Sequence, residues 1–114
     1  MSMPRRPIKW EVEETNPEQV EPLKSALRDV IDPEMGLNLI ELGLIRDVIF
    51  KTDETAHITM ILTTPFCPYA SVMIDATRKT AERHLGRVTT VELGYEAWDP
   101  SYMEEGVADD WGLY

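Results

Sequence analysis

The sequence predicts a small two-layer α/β (α+β) domain, with helices on one face of a three- to four-stranded mixed sheet and the order α-β-β-α-β. Three observations carry this. Val20, Leu23, Leu27, Val30 and Ile31 recur at helical spacing. LIRDVIFK (44–51) and AHITMILT (56–63) read as two strands joined by the short turn TDET, the pattern of an antiparallel hairpin. PYASVMIDATRKTAERHLG (68–86) is a helix that returns the chain to a further alternating segment, RVTTVELGYEAW. A strand reached through a helical crossover can pair in parallel with an earlier one.

The elements follow in order. Residues 1–16 form an N-terminal arm, in which Ile8, Trp10 and Val12 alternate. This arm is either a short edge strand or a leader without fixed structure. The domain proper spans 17–103. Pro22 suits the first helical position, with 17–21 as a preceding turn, and Pro33 closes that helix near Ile31. DPEMGLNLIELGL reads as a loop bent at Gly36 and Gly43; it is apolar enough to pack on the core or on a partner. In the hairpin, Ile58, Met60 and Leu62 share one face, while His57, Thr59 and Ile61 share the other. In the long helix Ala70, Met73, Ile74, Thr77, Ala81 and Leu85 form the inward stripe, and Gly86 stops it. Val91, Leu93, Tyr95 and Ala97 alternate as the last strand. Residues 104–114 form an acidic aromatic tail. With Tyr102, its Trp111 and Tyr114 suggest a segment that docks.

Composition narrows the function. A chain of 114 residues is expected to form one domain. A net charge of −10 repels a phosphate backbone, so nucleic acid is not an expected partner. No apolar run approaches the ~20 residues that span a bilayer, and MSMPRRPIKW lacks the apolar stretch of a secretory signal. A single cysteine excludes an internal disulfide. The expected compartment is the cytoplasm.

That cysteine is Cys67, in TTPFCPYA. With Pro68 as the first helical residue, Cys67 is the N-cap, and the helix dipole and free amides would favour its thiolate. The alternative is a small buried hydrophobe. A histidine base is unsuitable: His84 lies 17 residues along the helix, about 25 Å, and His57 lies about 30 Å away along an extended chain. Zinc would need about four ligands at spacings that are absent. What remains is a thiol working with carboxylates or with another protein. Asp32 and Glu34 flank Pro33 and are the candidate carboxylates; the alternative for them is an ordinary solvated turn.

VIDPEMGLNLIELGLIRDV (30–48), TTPFCPYA (63–70) and VELGYEAWDP (91–100) together resemble the SufT/PaaD-type family of iron–sulfur cluster assembly proteins. The resemblance covers about residues 18–103. It implies a small α/β domain with the cysteine in a surface pocket beside the acidic motif, and a role in maturing iron–sulfur proteins. Cys67 matches the family cysteine, Asp32, Pro33 and Glu34 its acidic motif, and Thr64 and Pro65 the approach to the cysteine. On this basis Cys67, Asp32 and Glu34 are candidate metal ligands, and Pro33, Thr63, Thr64, Pro65 and Pro68 candidate pocket lining. PaaD-like relatives carry an added cysteine-rich tail, and no cysteine follows Cys67, so the SufT-like branch fits better.

The implied cargo is iron or a transient Fe–S cluster, for which soft thiolate is suited. One thiol supplies one of the usual four ligands. A cluster would therefore be shared across a homodimer, completed by Asp32, Glu34 or an outside thiol, or held briefly. The implied partners are iron–sulfur assembly proteins and client apoproteins. The rival reading is an adaptor that binds no metal and docks through its apolar loop and aromatic tail. A cysteine-dependent enzyme ranks last, because neither a base nor a phosphate-binding loop is evident, and no catalysis is expected.

Overall fold

The hairpin expected around TDET forms, and the long helix returns the chain to lay the last strand beside it. The computed structural model describes residues 9–64 and 68–104. The expected docking of Trp111 and Tyr114, the arm before Lys9, and the stretch Pro65, Phe66, Cys67 lie outside these residues. The elements are α1 (Val12–Thr15), a 3-10 turn (Pro17–Gln19), α2 (Val20–Leu27), β1 (Ile31–Asp32), β2 (Leu37–Asn38), α3 (Leu39–Leu42), β3 (Ile45–Phe50), β4 (Ala56–Met60), α4 (Ala70–Leu85), β5 (Thr89–Leu93) and a second 3-10 turn (Pro100–Tyr102). The expected α-β-β-α-β order survives as α2-β3-β4-α4-β5.

β3 and β4 pair antiparallel, and β5 joins β4 in parallel, giving the sheet order β3-β4-β5. Alternation decides the faces. Ala56, Ile58 and Met60 are fully buried, while His57 and Thr59 face the other way and keep partial exposure. α2 and α4 pack against each other, and α4 packs on β5. Leu23 and Leu27 of α2 meet Met73 and Ala81 of α4 in the same core as the strands. The buried row Met73, Thr77, Ala81 follows helical spacing, and the Thr77 hydroxyl donates to Met73 O at 2.7 Å, so the polar residue in that row is satisfied. Gly86 ends α4 with φ 68°, in the left-handed region.

Four local expectations are corrected. The described part of the arm is no edge strand: Val12–Thr15 is a helical turn, and Trp10 is 3% exposed, its indole Nε1 donating to Ile45 O at 3.0 Å. Alternation over so few residues cannot distinguish a strand from a helical turn. α2 starts at Val20, because Pro17 opens a 3-10 turn ahead of it and Pro22 then falls in the first turn, where no intrahelical N–H bond is needed. It ends at Leu27, and Ile31, half-exposed, is drawn into a two-residue ladder with Asn38. The expected loop is a hairpin, β1–β2, followed by α3. Asn38 Oδ1 accepts from the Ile40 and Glu41 amides while Glu41 Oε1 accepts from the Asn38 amide, a capping box that nucleates α3. Its leucines Leu39, Leu42 and Leu44 are fully buried, as the apolar content implied. The last strand stops at Leu93, and Tyr95, read as strand, is fully exposed.

After β5, residues 94–104 run back across the sheet as a strap. Trp98 Nε1 donates to Leu42 O at 2.8 Å, and the Arg28 guanidinium grips the Glu104 carboxylate at 2.6 and 3.0 Å, an ion pair that raises the Arg28 pKa from its ordinary value. Arg46 pairs with Glu96 at 3.2 Å and lies 4.0 Å from the Tyr102 ring centroid. The strap closes on Gly43, which has φ 71° and sits where a Cβ would come within 2.0 Å of Tyr102 O. Both the positive φ and the backbone contact demand glycine. Gly43→Ala is expected to cost about 3 kcal/mol of unfolding free energy, read by urea denaturation, and to expose Trp98, read as a red shift in tryptophan fluorescence.

Candidate functional site

The acidic motif sits on the β1–β2 hairpin. Pro33 holds Asp32 in extended geometry, and the chain turns at once: Gly36 N–H donates to Asp32 O at 2.8 Å and Glu34 N–H to Asp32 Oδ1 at 2.8 Å. The two carboxylates part company here. Asp32 is 0% exposed, whereas Glu34 and Pro33 are exposed. A buried carboxylate needs hydrogen-bond donors. The second oxygen of Asp32 finds one across the fold, accepting from the Thr63 hydroxyl at 3.1 Å.

Thr63 follows β4 and opens the TTPFCP stretch. The structure therefore joins two segments 31 residues apart that sequence alone marked as candidates. Thr64 is half-buried and Pro68 exposed; Pro65 and Cys67 are outside the described residues. The capping role expected of Cys67 is corrected: α4 begins at Ala70 with Tyr69 as its N-cap, and Pro68 lies in the preceding turn. Cys67 is therefore not the cap residue of α4.

β4 and β5 run parallel, so their carboxyl ends lie side by side, and the chains leaving them diverge around an open groove of about 420 Å³. Ile61, Leu62 and Thr63 form one wall; Leu93 through Trp98 form the other. Crevices at the carboxyl ends of parallel strands are where ligands collect in open α/β sheets. Gly94 lets this second wall pass close to the first, since a Cβ there would meet Thr59 and Ile61 methyls at 3.2 and 3.3 Å. The Arg46–Glu96 pair and the Trp98 hydrogen bond fix that wall. Sequence reasoning missed residues 93–98 as lining. The signal was present in the parallel crossover, which places the exits of both strands on one side.

Among the described residues no group of three or more His, Cys, Asp or Glu side chains is arranged to hold a metal ion. His57 is turned to the far face of the sheet, its ring nitrogens meeting Thr90 Oγ1 at 2.6 Å and Glu92 Oε1 at 3.0 Å.

Residues 21–93 match a protein family described as iron–sulfur cluster assembly protein. The chain belongs to that family. Similar family members include an Fe–S protein maturation auxiliary factor, YitW, of Bacillus subtilis, 36% identical over 85 residues, covering 75% of this chain and 81% of the relative. The Fe–S protein maturation auxiliary factor SufT of Staphylococcus aureus is 29% identical over 76 residues, covering 67% of this chain and 84% of that one. A crystal structure of a domain of unknown function from Bacillus anthracis shares the fold, with a TM-score of 0.75 at 26% identity, over 89% of this chain and 98% of that one. The resemblance to SufT-type proteins read from the sequence is thus the family relationship.

The different burial of the two carboxylates has a measurable consequence. Asp32→Ala strands a Thr63 hydroxyl and the Glu34 amide and is expected to lower stability by about 3 kcal/mol, whereas Glu34→Ala stays within about 0.5 kcal/mol. Chemical denaturation of both variants reads the contrast.

Proposed function

We propose that this protein is an iron–sulfur maturation factor that carries or delivers clusters to recipient apoproteins, with Cys67 supplying a thiolate to cargo held for a short time. The observation that carries this reading is the Asp32–Thr63 hydrogen bond, which anchors the segment leading to Cys67 against the acidic hairpin and beside the groove. The names of the family relatives support the general role. In this reading the two acids have different tasks. Asp32, sealed and doubly hydrogen-bonded, positions the segment; Glu34, exposed four residues upstream of Asn38, is the carboxylate free to approach iron.

The chemistry of the donor set fits a cargo, not a resident group. A single soft thiolate gives iron a strong anchor but leaves most of a cluster's ligand positions to other molecules. An incompletely ligated cluster exchanges readily, which suits transfer between an assembly protein and a client. No reaction is catalysed in this scheme. No helix among the described residues is long and apolar enough to cross a membrane. The lone thiol and the acidic charge accord with a cytoplasmic protein that avoids nucleic acid.

A second reading is favoured by one observation. Leu93 and Tyr95 on the outer wall of the groove are exposed, Tyr95 fully. Exposed aromatic and aliphatic groups beside a groove mark protein contacts, so an adaptor that binds a client without holding metal is the alternative.

Anaerobic incubation with ferrous iron and sulfide, followed by transfer to a purified apo-enzyme, separates them. A carrier gains visible absorbance that Cys67→Ala loses, and the variant activates the apo-enzyme at least about tenfold more slowly. Unchanged activation by Cys67→Ala, together with loss of client capture in Tyr95→Asp, would select the adaptor.

A further inference from the structure

The ladder between β4 and β5 ends at Gly94, and its next rung is left unmade. Ala56 N–H donates to Val88 O and Gly94 N–H to Met60 O, both at 2.8 Å. In a parallel ladder alternate residues of each strand face the same neighbour. The even-numbered residues of β4 and β5 therefore turn their backbone groups towards each other. Continued by that rule, Leu62 N–H would donate to Gly94 O and Glu96 N–H to Leu62 O. Neither bond forms. The chain after β5 is drawn instead towards Arg46 of β3 and Leu42 of α3, through Glu96 and Trp98. β4 keeps its line on its other side, where Ile61 N–H donates to Leu44 O at 2.8 Å. Among the described residues, the Leu62 and Glu96 amides and the Leu62 and Gly94 carbonyls have no hydrogen-bond partner. All three residues line the groove of about 420 Å³.

We infer that this groove takes an extended segment of a client protein, which resumes the ladder along Leu62 where β5 leaves it; the client role is the one proposed above, and what is added is the form of the contact. Open main-chain donors and acceptors in strand alternation match another extended main chain. A helix uses its own backbone groups internally and cannot supply them. Leu62, Leu93, Ala97 and Trp98 give the alternate side chains of such a segment an apolar lining. Glu96 is the charged residue in that lining, and the chain carries a net charge of −10, so a neutral or basic segment is favoured over an acidic one. The same criteria disfavour the chain's own ends and a second copy. Residues 105–114 carry Glu105, Asp109 and Asp110, and a second copy brings a further charge of −10. Residues 1–8 contain Pro4 and Pro7, which lack the N–H that a ladder uses.

The probe is a synthetic peptide, acetyl-Lys-Thr-Val-Thr-Val-Thr-Lys-amide, titrated into the isotope-labelled full chain without iron. It is expected to shift the amide resonances of Leu62, Gly94 and Glu96 and to slow hydrogen exchange at Leu62 and Glu96. A version methylated at every backbone nitrogen keeps the side chains and loses the donors. It is expected to bind at least about tenfold more weakly, and a version with Glu in place of both Lys is expected to bind more weakly as well. Ala97→Trp fills the groove from an exposed position. It is expected to keep the far-ultraviolet circular dichroism of the wild type and to weaken the peptide at least about tenfold. No shift at Leu62 or Glu96 up to about 1 mM peptide overturns the inference, as does equal binding of the methylated or Glu-ended version. Slow exchange at those amides in the free chain also overturns it, because the groove is then filled by the chain itself or by a second copy. Iron takes no part in this titration, so its failure leaves the carrier reading standing. Peptide binding by a chain that gains no Cys67-dependent absorbance sustains the inference and removes the carrier reading alone.

Discussion

A carboxylate without access to water must be solvated by the protein, and in this domain the Asp32 side chain imposes that requirement on everything around it. One oxygen is met locally by the Glu34 amide, which forces the tight turn of the acidic hairpin. The other is met by Thr63, which fixes where β4 must deliver the chain when it leaves the sheet. The same bond that satisfies an electrostatic need thus joins the acidic motif to Thr63, where the chain leaves β4. Its net energetic worth is modest while it is made, and the penalty lies in leaving either group unpaired.

The strap plays the complementary part. After β5 the chain could leave the sheet in any direction, and a set of contacts selects one: the glycine at 43 permits backbone contact with Tyr102, Arg46 is held between Glu96 and the Tyr102 ring, and Trp98 reaches the carbonyl of Leu42. Because α3 presents both Leu42 and Gly43, the capping box that starts α3 contributes to the outer wall of the groove some distance away. The wall is held at several points along its length, and Leu93 and Tyr95 on it are exposed.

Short elements account for much of what sequence reading misplaced. The hairpin β1–β2 and helix α3 contain two, two and four residues, too few for periodicity to register, although Asn38 and Glu41 at capping-box spacing marked the start of α3. α4 shows the opposite case. Its sixteen residues carry an unmistakable stripe, yet its first turn was placed two residues early, because a proline suits both the turn before a helix and its first position. That small shift moves the cap position from Cys67 to Tyr69.

The amino-acid order by itself determined the hairpin, the long helix and its glycine stop, the parallel return of the last strand, and the family signature in DPE and TTPFCP. Each of these is a local pattern or a connection length, and both are written along the chain. Only the tertiary structure decided that Asp32 is sealed while Glu34 is open, that Thr63 is the donor linking the two segments, and that α1 packs on β3. Burial and packing are sums over residues distant in sequence, so no window of the chain contains them.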